Sequence, residues 1–500
     1  MKILIVLILL FAAVILFWQI HLYPVRLGIY EGLCGLTALK ILEGDEKEIS
    51  DIWDRPRVMR RNMVGTCSSS NRNPFLIYPT ALFIKLFGID RYYITLRASA
   101  ILYGILSVWM LYLFMGKTFN RGVGLAAAFI LATSSWFIGF TRLLQDFSPT
   151  IFYSLLCFFV YSISDRGRSP LGYILLGAVL SLGSFFYFPA RGVMMVILGA
   201  IFIRIFTERG YFKTYWYSLI LMVAAFILAL RLGGLNLKLL FGLQHSSCEW
   251  FWVRYGFHPH DCATPWEYLL TIFKFAYKRF FVDWGWFWDP VCERDACLGP
   301  ISRYLLLLGI VWSLLRIKDH KHRFLLIWFV VTATPALITQ TWFRRSLLVI
   351  PAIAALAAVG VYDTFFLLTS WIKKGRNSVL SVLMVAVLLP VAWINLKHYF
   401  GLYRDGRYTS GQRKERELRE NFVGLLKKYK VYTDIYQAEY GWPQSLQFEA
   451  KRLGREGFYM ASPHSHSVRS AFQADPGPCA LILKTGEVKT KNEDGEIGEW

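Results

Sequence analysis

Acid is scarce in this sequence. Thirty-four Asp and Glu face 55 Lys and Arg, and charged residues of both signs make up only 18% of 500 positions. The chain also lacks the Cys-x-x-Cys hairpins of zinc sites: four residues separate the cysteines of "CERDAC", and "HPHDC", "KDHKH" and "SPHSH" are short, scattered and without a partner cluster. Metal-centred chemistry is therefore not expected. No small-residue cleavage pattern follows the first apolar run, "ILIVLILLFAAVILFW", which passes directly into "WQIHLYP" and reads as a retained anchor. Convincing internal repeats are missing too, and the acids gather at span ends rather than mid-span, which speaks against a transporter or lipid-carrier flippase.

Hydrocarbon is abundant instead. With 55% hydrophobic and 17% aromatic residues, the chain contains several runs approaching the roughly 18 to 20 residues that cross a bilayer as a helix. About eleven spans are expected, near 3–20, 94–115, 122–140, 149–164, 170–188, 191–206, 216–232, 301–316, 323–340, 346–368 and 378–395. The expected fold is an all-α polytopic membrane domain over 1–395, interrupted by long polar insertions at 21–93 and 233–300, and followed by a tail at 396–500. In that tail "YKVYTDIY" and "CALILKT" read as strands and "RKERELRENFVGLLKK" as a helix, giving a small α/β domain, while the closing "GEVKTKNEDGEIGEW" reads as polar and mobile.

Short-loop charge sets the orientation. With the N-terminus inside, the inner loops collect Lys117, Arg121, Arg166, Arg168, Arg204, Arg209, Lys213, the Arg316–Arg323 cluster and Lys373–Arg376, whereas the outer short loops hold only Arg142, Arg191, Arg344 and Arg345. Both insertions and the tail then lie outside the cytoplasmic membrane. Topology accounts for most of the net charge of +21, so a nucleic-acid partner is not expected. Cysteine placement agrees with an oxidising compartment: Cys34 and Cys67 fall in the first insertion and Cys248, Cys262, Cys292 and Cys297 in the second, an even number in each, with the pairing left open. The aromatic stretches "CEWFWVRYGFHPHDC" and "DWGWFWDP" fit an interfacial belt.

Candidate site residues lie at the outer face. Glu31 opens the segment "GIYEGLCGLTALKILEG" just after the first span, and helical spacing puts Gly35 and Ala38 on its face, a floor with room for a substrate. The third span ends in "FTRLLQDFSPT", where Arg142 and Asp146 stand at i and i+4 and Pro149 opens the next helix. Arg191, Arg344 and Arg345 break the positive-inside trend, and arginines at headgroup level clamp phosphate through paired hydrogen bonds.

The order of these features resembles a known family. One span, an outer loop with an acid on its first amphipathic helix, a second amphipathic segment "NPFLIYPTALFIKLFG", then "LRASAILYGILSV", "RGVGLAAAFILATSSWFIGFTRLLQD" and "RRSLLVIPAIAALAAVGV" are similar to the C-type (GT-C) glycosyltransferases of the protein O-mannosyltransferase and aminoarabinose-transferase superfamily. The similarity covers the first two hundred residues well and the later spans loosely. It implies transfer of a sugar from a polyprenyl-phosphate donor to a lipid, glycan or protein acceptor at the outer face. The family's Asp-Glu pair reads Tyr30-Glu31 here, so Glu31 matches its second acid, and Arg72 in "RNP" stands near a basic position of the lipid-modifying relatives. A non-catalytic relative is the reading that Tyr30 motivates.

Such a displacement needs a base for the incoming hydroxyl and cations for the departing phosphate. Glu31 is the expected base and Asp146 a second acid; Arg72, Arg142, Arg191, Arg344 and Arg345 are the expected phosphate ligands. A divalent cation between the acids and a phosphate is allowed and not required.

Overall fold

A computed structural model describes residues 2–20, 29–45, 73–89, 91–167, 169–186, 188–232, 300–339, 347–372 and 374–404. In the tail it describes 430–433, 451, 458–460, 479–482, 488–491 and 497–499. Nearly all of the second insertion and about half of the first fall outside these residues, as do Arg72, Arg344, Arg345, Cys67, Cys248, Cys262, Cys292, Cys297 and the tail helix read from the sequence.

All eleven apolar runs are helical. They form α1 (Lys2–Phe17), α4 (Tyr92–Thr118), α5 (Arg121–Thr133) with α6 (Ser135–Thr141), α7 (Phe147–Gly167), α8 (Pro170–Ser181), α9 (Arg191–Thr207), α10 (Tyr211–Leu232), α11 (Pro300–Leu315), α12 (His320–Thr339), α13 (Val349–Leu368) and α14 (Arg376–Arg404). Two further helices, α2 (Ile29–Leu42) and α3 (Pro74–Phe87), lie between α1 and α4. Five are long and apolar enough to cross a membrane, and a sixth span results if the α5–α6 pair counts as one.

That pair departs from the unbroken third span read from the sequence. It bends by 65° at Ser134, whose extended backbone ends α5 and whose Oγ accepts from Phe137 N at 3.5 Å to start α6. A serine offering its own oxygen to the backbone competes with helix continuation, which is why the break falls here. The fifth run also stops early. Helix α8 ends at Ser181 and tightens into a 3₁₀ turn over Leu182–Phe185, where Gly183 lies so close to the Tyr153 hydroxyl that a Cβ would stand 2.6 Å from it.

Side-chain caps begin other helices. Asn73 Oδ1 accepts from Phe75 N at 3.0 Å with Pro74 in the first turn of α3, and Asn120 Oδ1 accepts from Val123 N at 3.0 Å at the start of α5. The centre of the bundle is α13. Every residue from Val349 to Val361 is buried, as expected of a helix apolar on all sides, and it packs on α11, α5, α12 and α14. The outer helices α10 and α14 bury far less of themselves.

The tail strands form one mixed sheet. Strands β1 (Lys430–Thr433), β2 (Phe458–Met460), β3 (Cys479–Ile482), β4 (Val488–Lys491) and β5 (Ile497–Glu499) lie in the order β2-β1-β3-β4-β5. β1 runs parallel to β2 and β3, with Val431 opposite Phe458 and Ala480, and β3, β4 and β5 alternate antiparallel. The closing segment carries two of these strands: β4 opens at Val488 and β5 at Ile497, and the polarity of the intervening sequence "NEDGE" masked the hairpin pattern.

Helices meet through glycine where backbones touch. A Cβ on Gly309 of α11 would stand 1.9 Å from the Leu356 carbonyl oxygen of α13, and one on Gly360 would stand 2.7 Å from the Leu305 oxygen. Small residues let membrane helices approach this closely. Gly309→Ala is expected to lower stability by about 1 to 3 kcal/mol through overpacking, read as an earlier unfolding transition in detergent. The half-buried control Gly192→Ala, with nothing within 4 Å of its added Cβ, is expected to leave the transition in place.

Candidate functional site

Four chain segments meet at one end of the bundle. They are the residues after α1, the first turn of α2, the start of α4 and the turn that joins α6 to α7. Glu31 is fully buried and gripped by Arg97 of α4: Arg97 Nε donates to Glu31 Oε1 at 2.8 Å and Nη2 to Oε2 at 3.0 Å. Leu144 N in the 142–146 turn donates to Glu31 Oε1 at 3.1 Å, and Arg97 Nη1 donates to the Ile20 carbonyl at 3.0 Å. The Tyr93 ring lies 5.2 Å from the Arg97 guanidinium carbon. Both oxygens of Glu31 are thus engaged by charge-assisted bonds.

The helical face read from the sequence exists but is not open. Glu31, Cys34, Gly35 and Ala38 form the buried stripe of α2, and Cys34 and Ala38 pack with Leu76, Ile77 and Ala81 of α3 and Leu96 of α4. A floor that looked free in one dimension is filled by the two following helices. Cys34 sits inside this cluster, and the cysteines considered as its partners lie outside the described residues.

Arg142 and Asp146 are not on one helix. The helix stops at Thr141, Arg142 caps it, and the chain runs through a turn before α7 begins at Phe147. Arg142 is buried; its Nη2 donates to the Trp18 carbonyl at 2.6 Å, and its guanidinium lies 5.6 Å from the Tyr399 and Phe400 ring centres of α14. Asp146, also buried, stands at the N-terminus of α7, where its carbonyl accepts from Thr150 N and Oγ1. An acid at this position faces the favourable end of the helix dipole.

An aromatic stack extends the site towards α9. Phe75 of α3 stacks on Phe186 at 5.1 Å, and Phe186 stacks on Tyr153 of α7 at 4.5 Å. This brings Asn73, the residue after Arg72, to the segment that leads into half-buried Arg191 at the start of α9. Asn73 Nδ2 and Ser148 Oγ are buried without a hydrogen-bond partner among the described residues, and buried polar atoms of that kind ask for one. On the outer side of α2, Lys451 of the tail reaches Glu43 at 2.5 Å.

Arg97 is the residue that sequence reading missed. Its signal was present: a cation inside an apolar span, in "LRASAILYGILSV", invites a search for its buried acidic partner. Among the described residues no three His, Cys, Asp or Glu side chains gather as a metal site.

Comparison with known proteins places this end of the molecule in context. Residues 71–232 match the family described as dolichyl-phosphate-mannose-protein mannosyltransferase. The fold is similar to ArnT from Cupriavidus metallidurans bound to undecaprenyl phosphate, with a TM-score of 0.51 and 12% identity over 96% of this chain and 92% of that one. It also matches the Archaeoglobus fulgidus oligosaccharyltransferase tethered with an acceptor peptide, with a TM-score of 0.48 and 13% identity over 93% of this chain. The chain spans 60% of that oligosaccharyltransferase. No curated protein matches the sequence.

Breaking the Glu31–Arg97 pair from one side strands a buried charge. Arg97→Met alone is expected to destabilise the protein by about 3 to 5 kcal/mol, while Glu31→Gln combined with Arg97→Met is expected to recover part of that loss. A double-mutant cycle on unfolding in detergent measures the coupling; additive single effects would show that the pair is not a unit.

Proposed function

We propose that the chain is a C-type (GT-C) membrane glycosyltransferase that moves a sugar from a polyprenyl-phosphate donor to a lipid, glycan or protein acceptor, a reading supported by the family match over residues 71–232 and the ArnT-like fold. The observation that carries the proposal is the meeting of Glu31, Arg97, Arg142 and Asp146 at one bundle end, within and beside the segment that matches the mannosyltransferase family. The undecaprenyl phosphate of the ArnT structure supports the donor class. The reaction takes place at the outer face of the cytoplasmic membrane, with the N-terminus inside and the tail outside.

In the proposed step the acceptor hydroxyl oxygen attacks the anomeric carbon from the face opposite the phosphate. The carbon–oxygen bond to phosphate breaks, polyprenyl phosphate leaves with the electron pair, and the hydroxyl proton passes to a carboxylate. A single displacement inverts the anomeric centre. Glu31, the base expected from sequence, already accepts from Arg97 twice and from Leu144, and these bonds take up both of its oxygens. Asp146 is the better assignment for the proton, and Glu31 positions the 142–146 turn that carries it. Arg142 and Arg191 are the phosphate ligands proposed from the described residues. Arg72, Arg344 and Arg345 complete the proposed set by sequence. A divalent cation, where used, would rest on Asp146 and phosphate oxygens, because Glu31 is committed to Arg97.

One observation favours a second reading. The 65° break of the third span is the kind of discontinuity that carriers use to bind ions and substrates, so binding without turnover is the alternative outcome. The test is sugar transfer by purified protein offered a panel of polyprenyl-phosphate sugars with lipid, glycan and peptide acceptors. Asp146→Asn is expected to lower turnover by about 10²- to 10⁴-fold, the usual worth of a general base, with its unfolding transition retained. Undiminished transfer in that variant would remove Asp146 as the base. Bound polyprenyl phosphate with no transfer from any donor would favour a carrier or a non-catalytic relative.

A further inference from the structure

A second polar cleft opens at the far end of α4. Arg97 and Thr118 are 21 positions apart on that helix, about 32 Å at 1.5 Å per residue, so this cleft and the Glu31 site occupy opposite boundaries of the bundle. The cleft lies between α4, α7, α9 and α12 and encloses about 540 Å³, its open mouth included. Phe114, Ile203, Phe324 and Ile327 form its apolar wall.

Ionic bonds shape the polar side. Arg204 Nη1 donates to Asp165 Oδ1 at 2.5 Å and Nη2 to Glu208 Oε2 at 2.9 Å, with the Tyr211 ring 4.4 Å from the guanidinium. Arg323 Nη2 reaches the same Glu208 through Oε1 at 3.2 Å. Arg204 engages both acids and Arg323 shares the second, so Arg323 is only partly neutralised. Its Nε is buried and has no hydrogen-bond partner among the described residues. Lys321 and His320 stand at the rim; Asp319 is occupied by the backbone N of Lys321 at 3.0 Å and lies 3.5 Å from His320 Nδ1.

A basic rim above an apolar wall at a membrane boundary matches one kind of ligand. We propose that this cleft seats the phosphate headgroup of an anionic phospholipid, with the phosphate against Lys321 and Arg323 and an acyl chain along Phe114, Phe324 and Ile327. Basic pockets between membrane helices bind anionic headgroups in this way. The spare Arg323 Nε is the donor that such a phosphate completes.

The test uses the full chain in detergent, titrated with phosphatidylglycerol, phosphatidylcholine or inorganic phosphate. Thermal unfolding and the lipid retained in native mass spectrometry are both read. Phosphatidylglycerol is expected to raise the transition and to be retained at least about fivefold over phosphatidylcholine, as headgroup charge demands, with Lys321→Gln removing most of that preference. Because Arg323→Gln also severs the Glu208 bond, Lys321→Gln is the deciding variant: Lys321 bonds Asp319 through its backbone N, which the substitution leaves in place. Equal retention of the two lipids, or a preference unchanged in Lys321→Gln, overturns the proposal. A full shift produced by inorganic phosphate alone overturns the lipid in favour of a soluble phosphate.

Discussion

The buried pair of Glu31 and Arg97 organises the end of the molecule where chemistry is proposed. Neither charge has access to water, so each depends on the other for its stability. Between them they bind the first turn of α2, the start of α4, the residues after α1 and the backbone at Leu144. Asp146 is two residues from that backbone bond. The position of the proposed catalytic base is therefore set by a carboxylate that need not take part in bond breaking.

Among the described residues the ion pairs lie at the two ends, and the middle of the bundle is closed by a different means. Between Arg97 at one boundary and the Arg204 network at the other, contacts are aromatic or small: Phe114 with Trp328 and Phe158, and the mutual approach of Gly309 and Gly360 with opposing backbones. Close backbone approach gains dispersion contact without needing any polar group in hydrocarbon. Ion pairs among the described residues are thus kept to the two ends, and the section between them is held mainly by packing.

Much of this was legible in the sequence because the signals were local. Apolar runs located the helices, and alternation located β1 and β3, since both patterns reflect the immediate neighbours of each residue. Glu31 and Asp146 could be singled out as acids at one boundary. What sequence reading could not supply was the third dimension of α2. Its stripe of Glu31, Gly35 and Ala38 looked like a floor, and only the arrival of α3 and α4 turns it into an interior. The partner of Glu31 is 66 positions away, beyond any periodicity argument. The helical i, i+4 spacing of Arg142 and Asp146 failed for a local reason: the chain had already left α6 at Thr141.

Helix α13 has a consequence for the order of assembly. It is made after α1 to α12, yet thirteen of its residues in succession touch only protein. The ribosome thus delivers the central element of the bundle late, and the helices already in the membrane have no complete packing until it enters between α5, α11 and α12. A chain halted before Val349 is left with an apolar slot, and the Glu31 site, whose Arg142 leans on α14, is completed only when α14 arrives.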